Sequence, residues 1–330
     1  MRLLKKLASI APWFFCSLIL FPSQSQLKVY LEEVLALGEN FEDLIYQRPG
    51  VTTNEDGNIY MTDIKSNTIK KFSPAGELMN EIGHKGEGSG ALSGPNVIRY
   101  HQGKIYVSET YNPGILVYDE NLEYQFKIPL TFTLSDIYVF SKDQIAGSTL
   151  IRDRDAEEGR YLYCIYVFNS QGKEVEKVVY ATDDQFTLMN MVSVCMDRGN
   201  NVYIAYTWED KIEKIDRNGK IAWSQSLLGE KKVEIRKEEG ADPIFGEYPL
   251  EATYKSIALD SRGYILVLGG HLSENSCQDV YILNLNGQHI ATFTLPEPAH
   301  AIHIDSKNFL YARSDKGTTF RKYSLKYFYE

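Results

Sequence analysis

The chain has 330 residues, with 44 acidic against 35 basic side chains and a formal net charge of -9. Such an acidic chain is a poor electrostatic match for nucleic acid or an anionic lipid surface. Its 4 cysteines, widely spaced, fit no metal-ligand pattern.

In chain order, the basic residues Arg2, Lys5 and Lys6 come first, followed by an uncharged apolar run from Leu7 to Phe21. That is the layout of a secretory signal peptide, and the run is shorter than the ~20 residues a membrane-spanning helix needs. Ser23 and Ser25 offer small residues where a signal peptidase cuts, so residues 1–25 are expected to be removed. The mature chain, residues 26–330, is then expected to be secreted or periplasmic, with no integral membrane segment left. Cys164, Cys195 and Cys277 read as scattered buried thiols, with a single disulfide and one thiol left over as the alternative.

Residues 27–37, LKVYLEEVLAL, form an isolated strand-like stretch. Beyond them a unit recurs: a short apolar strand, a turn, a strand opening on a β-branched residue and Tyr, a polar loop, a third strand, a second turn. Asn54-Glu55-Asp56-Gly57-Asn58-Ile59-Tyr60 is its clearest copy, and Asp197–Tyr203, Asp260–Leu266 and Asp305–Tyr311 follow the same rule. Asp and Asn bond their own backbone two residues on, and Gly and Asn accept the positive φ of a tight hairpin. The second turn appears as Ser73-Pro74-Ala75-Gly76, Asp216-Arg217-Asn218-Gly219 and Asn284-Leu285-Asn286-Gly287.

Six such units are expected, starting near residues 50, 96, 135, 191, 255 and 300. A lone four-stranded meander leaves both faces exposed, so the units must stack around an axis. The sixth runs out at Tyr327-Phe328-Tyr329-Glu330 after its third strand. Residues 27–37 are therefore expected to supply its outer strand and close the ring. The fold class that follows is all-β, a six-bladed β-propeller.

The glycine-rich stretch GHKGEGSGALSGP, Gly83 to Pro95, invites a phosphate-loop reading. A phosphate loop needs a helix after it, whereas Asn96-Val97-Ile98-Arg99-Tyr100 alternates like a strand. The stretch reads instead as a crossover between blades. With Gly-Asn-Ile-Tyr, an Asp-led polar loop and this crossover ending at Pro, residues 50–95 resemble an NHL repeat. The whole chain is similar to secreted bacterial six-bladed propellers, a group whose activities are diverse.

In a propeller the loop joining strands two and three emerges at the same end as the crossovers, and that end usually carries function. Candidate binding residues there are Asp63, Lys65, Asn67, Glu109, Tyr111 and Asn112 from the first two units. Later units add Arg152 and Arg154, Trp208 and Glu209, His271, then Arg313 and Asp315. Mixed charges with aromatics suit a polar ligand, a glycan or a protein partner. Two longer insertions, Ile151–Arg160 and Gly229–Ala252, fall on the same face, and Ile244, Phe245 and Tyr248 of the second offer a cover for the channel.

Some propellers resembling this one are zinc-holding amidating lyases or calcium-dependent lactonases, so a metal-dependent lyase or hydrolase is the alternative function. No motif of either maps onto the chain. His300 and His303, three apart on a presumed strand, are expected on opposite faces and so cannot simply share one ion. No catalytic residue, metal site or cofactor is assigned; calcium or zinc enters only with the enzyme alternative. The favoured reading is an exported, non-catalytic binding or scaffold module.

Overall fold

The computed structural model describes residues 27–38, 50–83, 90–141, 144–152, 161–180, 191–229, 233–237, 247–314 and 319–329. The chain starts with β1 (Leu27–Leu37). Blade one follows as β2 (Val51–Thr53), β3 (Ile59–Asp63), β4 (Thr68–Phe72) and β5 (Leu78–Gly83). Blade two is β6 (Pro95–His101), β7 (Lys104–Glu109), β8 (Gly114–Asp119) and β9 (Tyr124–Pro129). Blade three is β10 (Asp136–Ser141), β11 (Gln144–Arg152), β12 (Tyr161–Phe168) and β13 (Glu174–Tyr180). Blade four is β14 (Val192–Met196), β15 (Val202–Tyr206), β16 (Ile212–Ile215) and β17 (Ile221–Gln225). A small hairpin of β18 (Ile235–Lys237) and β19 (Glu247–Pro249) interrupts the series. Blade five is β20 (Tyr254–Leu259), β21 (Ile265–Gly269), β22 (Asp279–Leu283) and β23 (His289–Thr294). Blade six is β24 (Ala299–Ile304), β25 (Phe309–Ser314) and β26 (Phe320–Tyr329), completed by β1 on its outer edge.

The hairpin chemistry explains why the chain turns where it does. Asp197 Oδ1 accepts hydrogen bonds from the amides of Gly199 at 2.8 Å and Asn201 at 2.9 Å. Asp305 does the same for Lys307 and Phe309, at 2.9 and 2.8 Å. The Tyr that opens the next strand reaches back: Tyr203 Oη donates to Asp197 Oδ2 at 2.9 Å. Burial alone pushes the Asp197 carboxyl up, but the bonds from Asn201, Tyr203 and Gly199 outweigh it and hold the group below its ordinary range.

Six four-stranded antiparallel sheets need six apolar layers between them, and each pair of neighbours has one. Tyr60 and Ile69 of blade one pack with Ile105 and Val107 of blade two. Blades two and three meet through Val117 and Phe168, three and four through Ile165 and Ile204, four and five through Tyr203 and Val267. The middle strands β3, β7, β15 and β21 are almost wholly buried, whereas outer strands such as β5 and β17 are largely exposed. This burial on both faces explains why the middle strands read as continuous apolar and hydroxyl runs.

The ring closes through β1. It pairs antiparallel with β26 from Leu27 opposite Tyr329 to Leu37 opposite Phe320, with one bulge between Glu33 and Leu35. Leu37 then packs with Val51 and Phe72 of blade one and Phe320 of blade six. At the other end, β1 and the tail of β26 extend as a ribbon past β25, and Leu27 packs with Phe293 of blade five. The six sheets and this closing strand make the molecule a six-bladed β-propeller without a helix among the described residues.

The residues between Gly83 and Gly90 lie outside the described set, but Pro95 begins a strand, as a crossover requires. Cys164, Cys195 and Cys277 are buried and unbridged.

Candidate functional site

At the crossover end of blades one and two, several polar side chains fix the loops. Asp63 is 1% exposed and accepts from the amides of Lys65 at 3.0 Å and Ser66 at 3.4 Å; Lys65 itself is exposed. Asn67 takes a positive φ of 57° and accepts from the Gly94 amide at 2.7 Å. Glu109, also 1% exposed, accepts from the Ser93 amide and from Lys127 Nζ, both at 2.7 Å. Thus Asp63 fixes the loop between β3 and β4, while Asn67 and Glu109 hold the crossover in place. Tyr111 is 71% exposed and lies over Gly94, where an added Cβ would come within 2.6 Å of its ring. The carbonyl of the exposed Asn112 accepts from Lys127 Nζ at 2.9 Å.

The other candidates are spread around the rim. Arg152 ends β11, paired with Tyr161. Trp208 is half-buried with its Nε1 enclosed and without a hydrogen-bond partner. Glu209 is half-buried, and its carbonyl accepts from the Lys211 amide at 2.8 Å. The exposed His271 accepts at Nδ1 from the Ala252 amide at 3.1 Å. Arg313 borders the central channel. Arg154, Asp315, Ile244 and Phe245 lie outside the described residues.

The channel runs down the axis with a volume of about 650 Å³. Its wall is the ring of inner strands, and polar bonds link neighbouring strands across five of the six gaps. Thr52 Oγ1 accepts from the Tyr100 amide at 3.0 Å, linking blades one and two. Arg99 Nη2 meets Asp136 Oδ1 at 2.5 Å, linking two and three. Tyr138 Oη donates across to the Val194 carbonyl, and Ser193 Oγ accepts from the Ile257 amide at 3.1 Å. Ser256 Oγ donates to the Ile302 carbonyl at 3.3 Å and accepts from its amide at 3.2 Å. Between blades six and one the described contact is the apolar layer around Leu37.

Among the described residues, the charged groups that border the channel are Arg99, Lys255, Arg313 and Asp136, with His300 and His303 beside them. Lys255, Asp136 and His300 occupy the first or second residue of their inner strands, which places them at the crossover end. Blades one and four contribute mostly apolar wall, including Val51, Met191 and Val194. Burial first, and the Arg99 charge second, push the His303 imidazole down to about 3, so it is neutral at physiological pH.

His300 and His303 both border the channel together with Ala301, Ile302 and Ile304, because β24 meets the channel along its edge. The pairing of β24 with β25 shifts register between Ala299 and Ala301. Among the described residues no three His, Cys, Asp or Glu side chains group as a metal site. No helix of the described residues is long and apolar enough to cross a membrane.

Arg99, Asp136, Lys255, His300 and His303 were not singled out as binding residues by sequence. The available signal was charge or imidazole on an inner strand, where the neighbouring positions are apolar, small or hydroxylic.

No family model matches the sequence, and no curated protein matches it. Solved structures do. A streptogramin B lyase is 14% identical with a TM-score of 0.56, over 90% of this chain and 98% of its own. The virginiamycin B lyase of Staphylococcus aureus is 10% identical with a TM-score of 0.56, over 91% of this chain and 100% of its own. A member of the DUF4221 family from Bacteroides vulgatus is 12% identical with a TM-score of 0.58, over 92% of this chain and 99% of its own. At such identities the likeness establishes the β-propeller fold, which hosts both catalysis and binding, and nothing finer.

Proposed function

We propose that the protein is an exported, NHL-like, non-catalytic binding or scaffold propeller, which recognises a polar ligand, a glycan or a protein partner through its crossover-loop face. The observation that carries this reading is the channel of about 650 Å³, bordered by Lys255, His300 and Arg313 at that face. Its size falls in the ~300–1,000 Å³ range of small-molecule sites, and it mixes apolar wall with a few polar groups as such sites do. The loops around it are held rigidly by Asp63, Asn67 and Glu109, and a pre-formed rim lowers the entropy lost on binding. Export rests on the basic start and apolar run of residues 1–25.

The test is a thermal-shift screen of the mature chain against neutral and charged oligosaccharides and small polar compounds, repeated on Arg313→Gln and Tyr111→Ala. A stabilising compound that survives incubation unchanged, and whose shift is lost in a variant, supports the reading. Chemical turnover of that compound, or a stoichiometric metal in the purified protein, would overturn it in favour of the lyase or hydrolase alternative. Mass spectrometry of the secreted or periplasmic fraction checks the start near Gln26; recovery of residues 1–25 on the protein sinks export by cleavage.

A further inference from the structure

We infer that Tyr111 is a stacking platform for the pyranose rings of an uncharged oligosaccharide. The inference rests on the binding reading above and narrows its ligand to a neutral glycan, held at the rim where blades one and two meet.

At 71% exposure Tyr111 is the most open large apolar side chain among the described residues, and it stands in the loop between β7 and β8, at the crossover end. Its mounting is firm. The Tyr111 amide donates to the Ser93 carbonyl at 3.1 Å and the Thr110 amide to the Gly94 carbonyl at 2.8 Å, which laces the loop to the crossover. Asn67 of blade one and Glu109 of blade two grip the same crossover residues, accepting at 2.7 Å from the amides of Gly94 and Ser93 respectively. Thr133 Oγ1 donates to the Thr110 carbonyl at 3.1 Å, and Lys127 Nζ to that of Asn112 at 2.9 Å. The Cδ2–Cε2 edge of the ring rests against Gly94, which has a φ of +71° and no Cβ to fill the space. A ring seated in this way loses little further freedom when a ligand covers it.

What a fixed aromatic ring can take is set by its surroundings. A protein-binding hot spot lies in an apolar core whose neighbours exclude water. Tyr111 stands instead beside exposed Asn112, with half-buried Thr110 and Ser93 bonded through their backbones to the same crossover. A pyranose has the matching pattern: a face of C–H groups that lies on an aromatic ring, and a rim of hydroxyls that bonds to amides and hydroxyls. The charge of the chain selects further. A net charge of -9 disfavours an acidic polysaccharide, so a neutral one is the match.

Cellopentaose, laminaripentaose, chitopentaose and mannopentaose, each up to about 10 mM, are titrated into the mature protein by calorimetry. Saturation-transfer NMR then reads which sugar protons touch the protein. We expect at least one of the four to bind, with the strongest transfer to the C–H protons of one pyranose face. Tyr111→Ala and Tyr111→Leu, at unchanged melting temperature, should each weaken that binding at least about fivefold. Tyr111→Phe should stay within about twofold of the wild type, because a stack uses the ring and not the hydroxyl. A loss in Tyr111→Phe as large as in Tyr111→Ala overturns stacking in favour of a hydroxyl contact. Sugar binding untouched by Tyr111→Ala overturns the platform and leaves the binding reading standing. Tighter binding of pentagalacturonate than of any neutral sugar overturns the preference for an uncharged chain. Silence of all four neutral sugars overturns the glycan inference, while a stabilising compound of another class in the thermal-shift screen would keep the wider reading.

Discussion

Arg99 of the second blade and Asp136 of the third meet at 2.5 Å on the channel wall, with side chains about a quarter and a fifth exposed. Asp136 also accepts from Tyr138 Oη at 2.8 Å, so one carboxylate ties three inner-strand positions together. Asp136→Ala leaves a half-buried guanidinium and a hydroxyl without this acceptor. The expected cost is about 1–3 kcal/mol, read as a lower urea midpoint at unchanged slope. A loss below about 0.3 kcal/mol would show that solvent replaces the pair.

His303 gives the fold a specific acid sensitivity. Its imidazole is held at about 3 in the folded state against 6.5 as the ordinary value, with Arg99 and the Tyr311 ring nearby. Between these values the unfolded chain binds a proton that the folded chain refuses. The contribution is therefore full above 6.5 and is lost as pH falls toward 3. Between pH 7 and 4.5 the native protein should lose about 2–3 kcal/mol more than His303→Gln does. Parallel pH dependence of the two urea midpoints would refute this.

Leu37 is 3% exposed where the closing strand meets blades one and six. Leu37→Ala removes apolar packing at the one gap whose described contact is wholly apolar. About 2–4 kcal/mol of destabilisation is expected from the lost transfer energy and the residual cavity. Thermal melts with faster proteolysis after β1 would accompany it; an unchanged melting temperature would mean the strand is dispensable.

Gly83 ends the outer strand of blade one with a φ of +107°, and a Cβ there would lie 2.2 Å from the Asn67 carbonyl oxygen. Gly83→Ala combines a disfavoured backbone with a clash against backbone. A loss of more than about 2 kcal/mol is expected. Denaturation at wild-type urea concentration would show that the crossover relaxes freely.

The ring was legible in the sequence because each blade repeats one local device, an Asx residue capping a tight turn before a β-branched residue and Tyr. Asp197 and Asp305 show that device bonded as the spacing implies. The closing strand was legible for a different reason: the sixth unit lacked an outer strand, and residues 27–37 had no other partner. The channel was much less so. Arg99, Asp136 and Lys255 come from three blades, and their proximity depends on closure of the whole ring rather than on spacing along the chain. Asp63 and Glu109 stood out by charge and loop position; Asp63 accepts from amides of its own loop, and Glu109 accepts from the Ser93 amide of the crossover ahead of its blade.

Leu27 lies opposite Tyr329, so the first described strand finds its partner only in the last described one. A ribosome delivers β1 well before β26. Until β26 emerges, the incomplete circle has an open seam with unsatisfied strand edges at both sides, the kind of surface that recruits other chains. Slow, late-committing assembly and a dependence on holding chaperones follow from that geometry, and fragments ending before Phe320 should precipitate rather than mature.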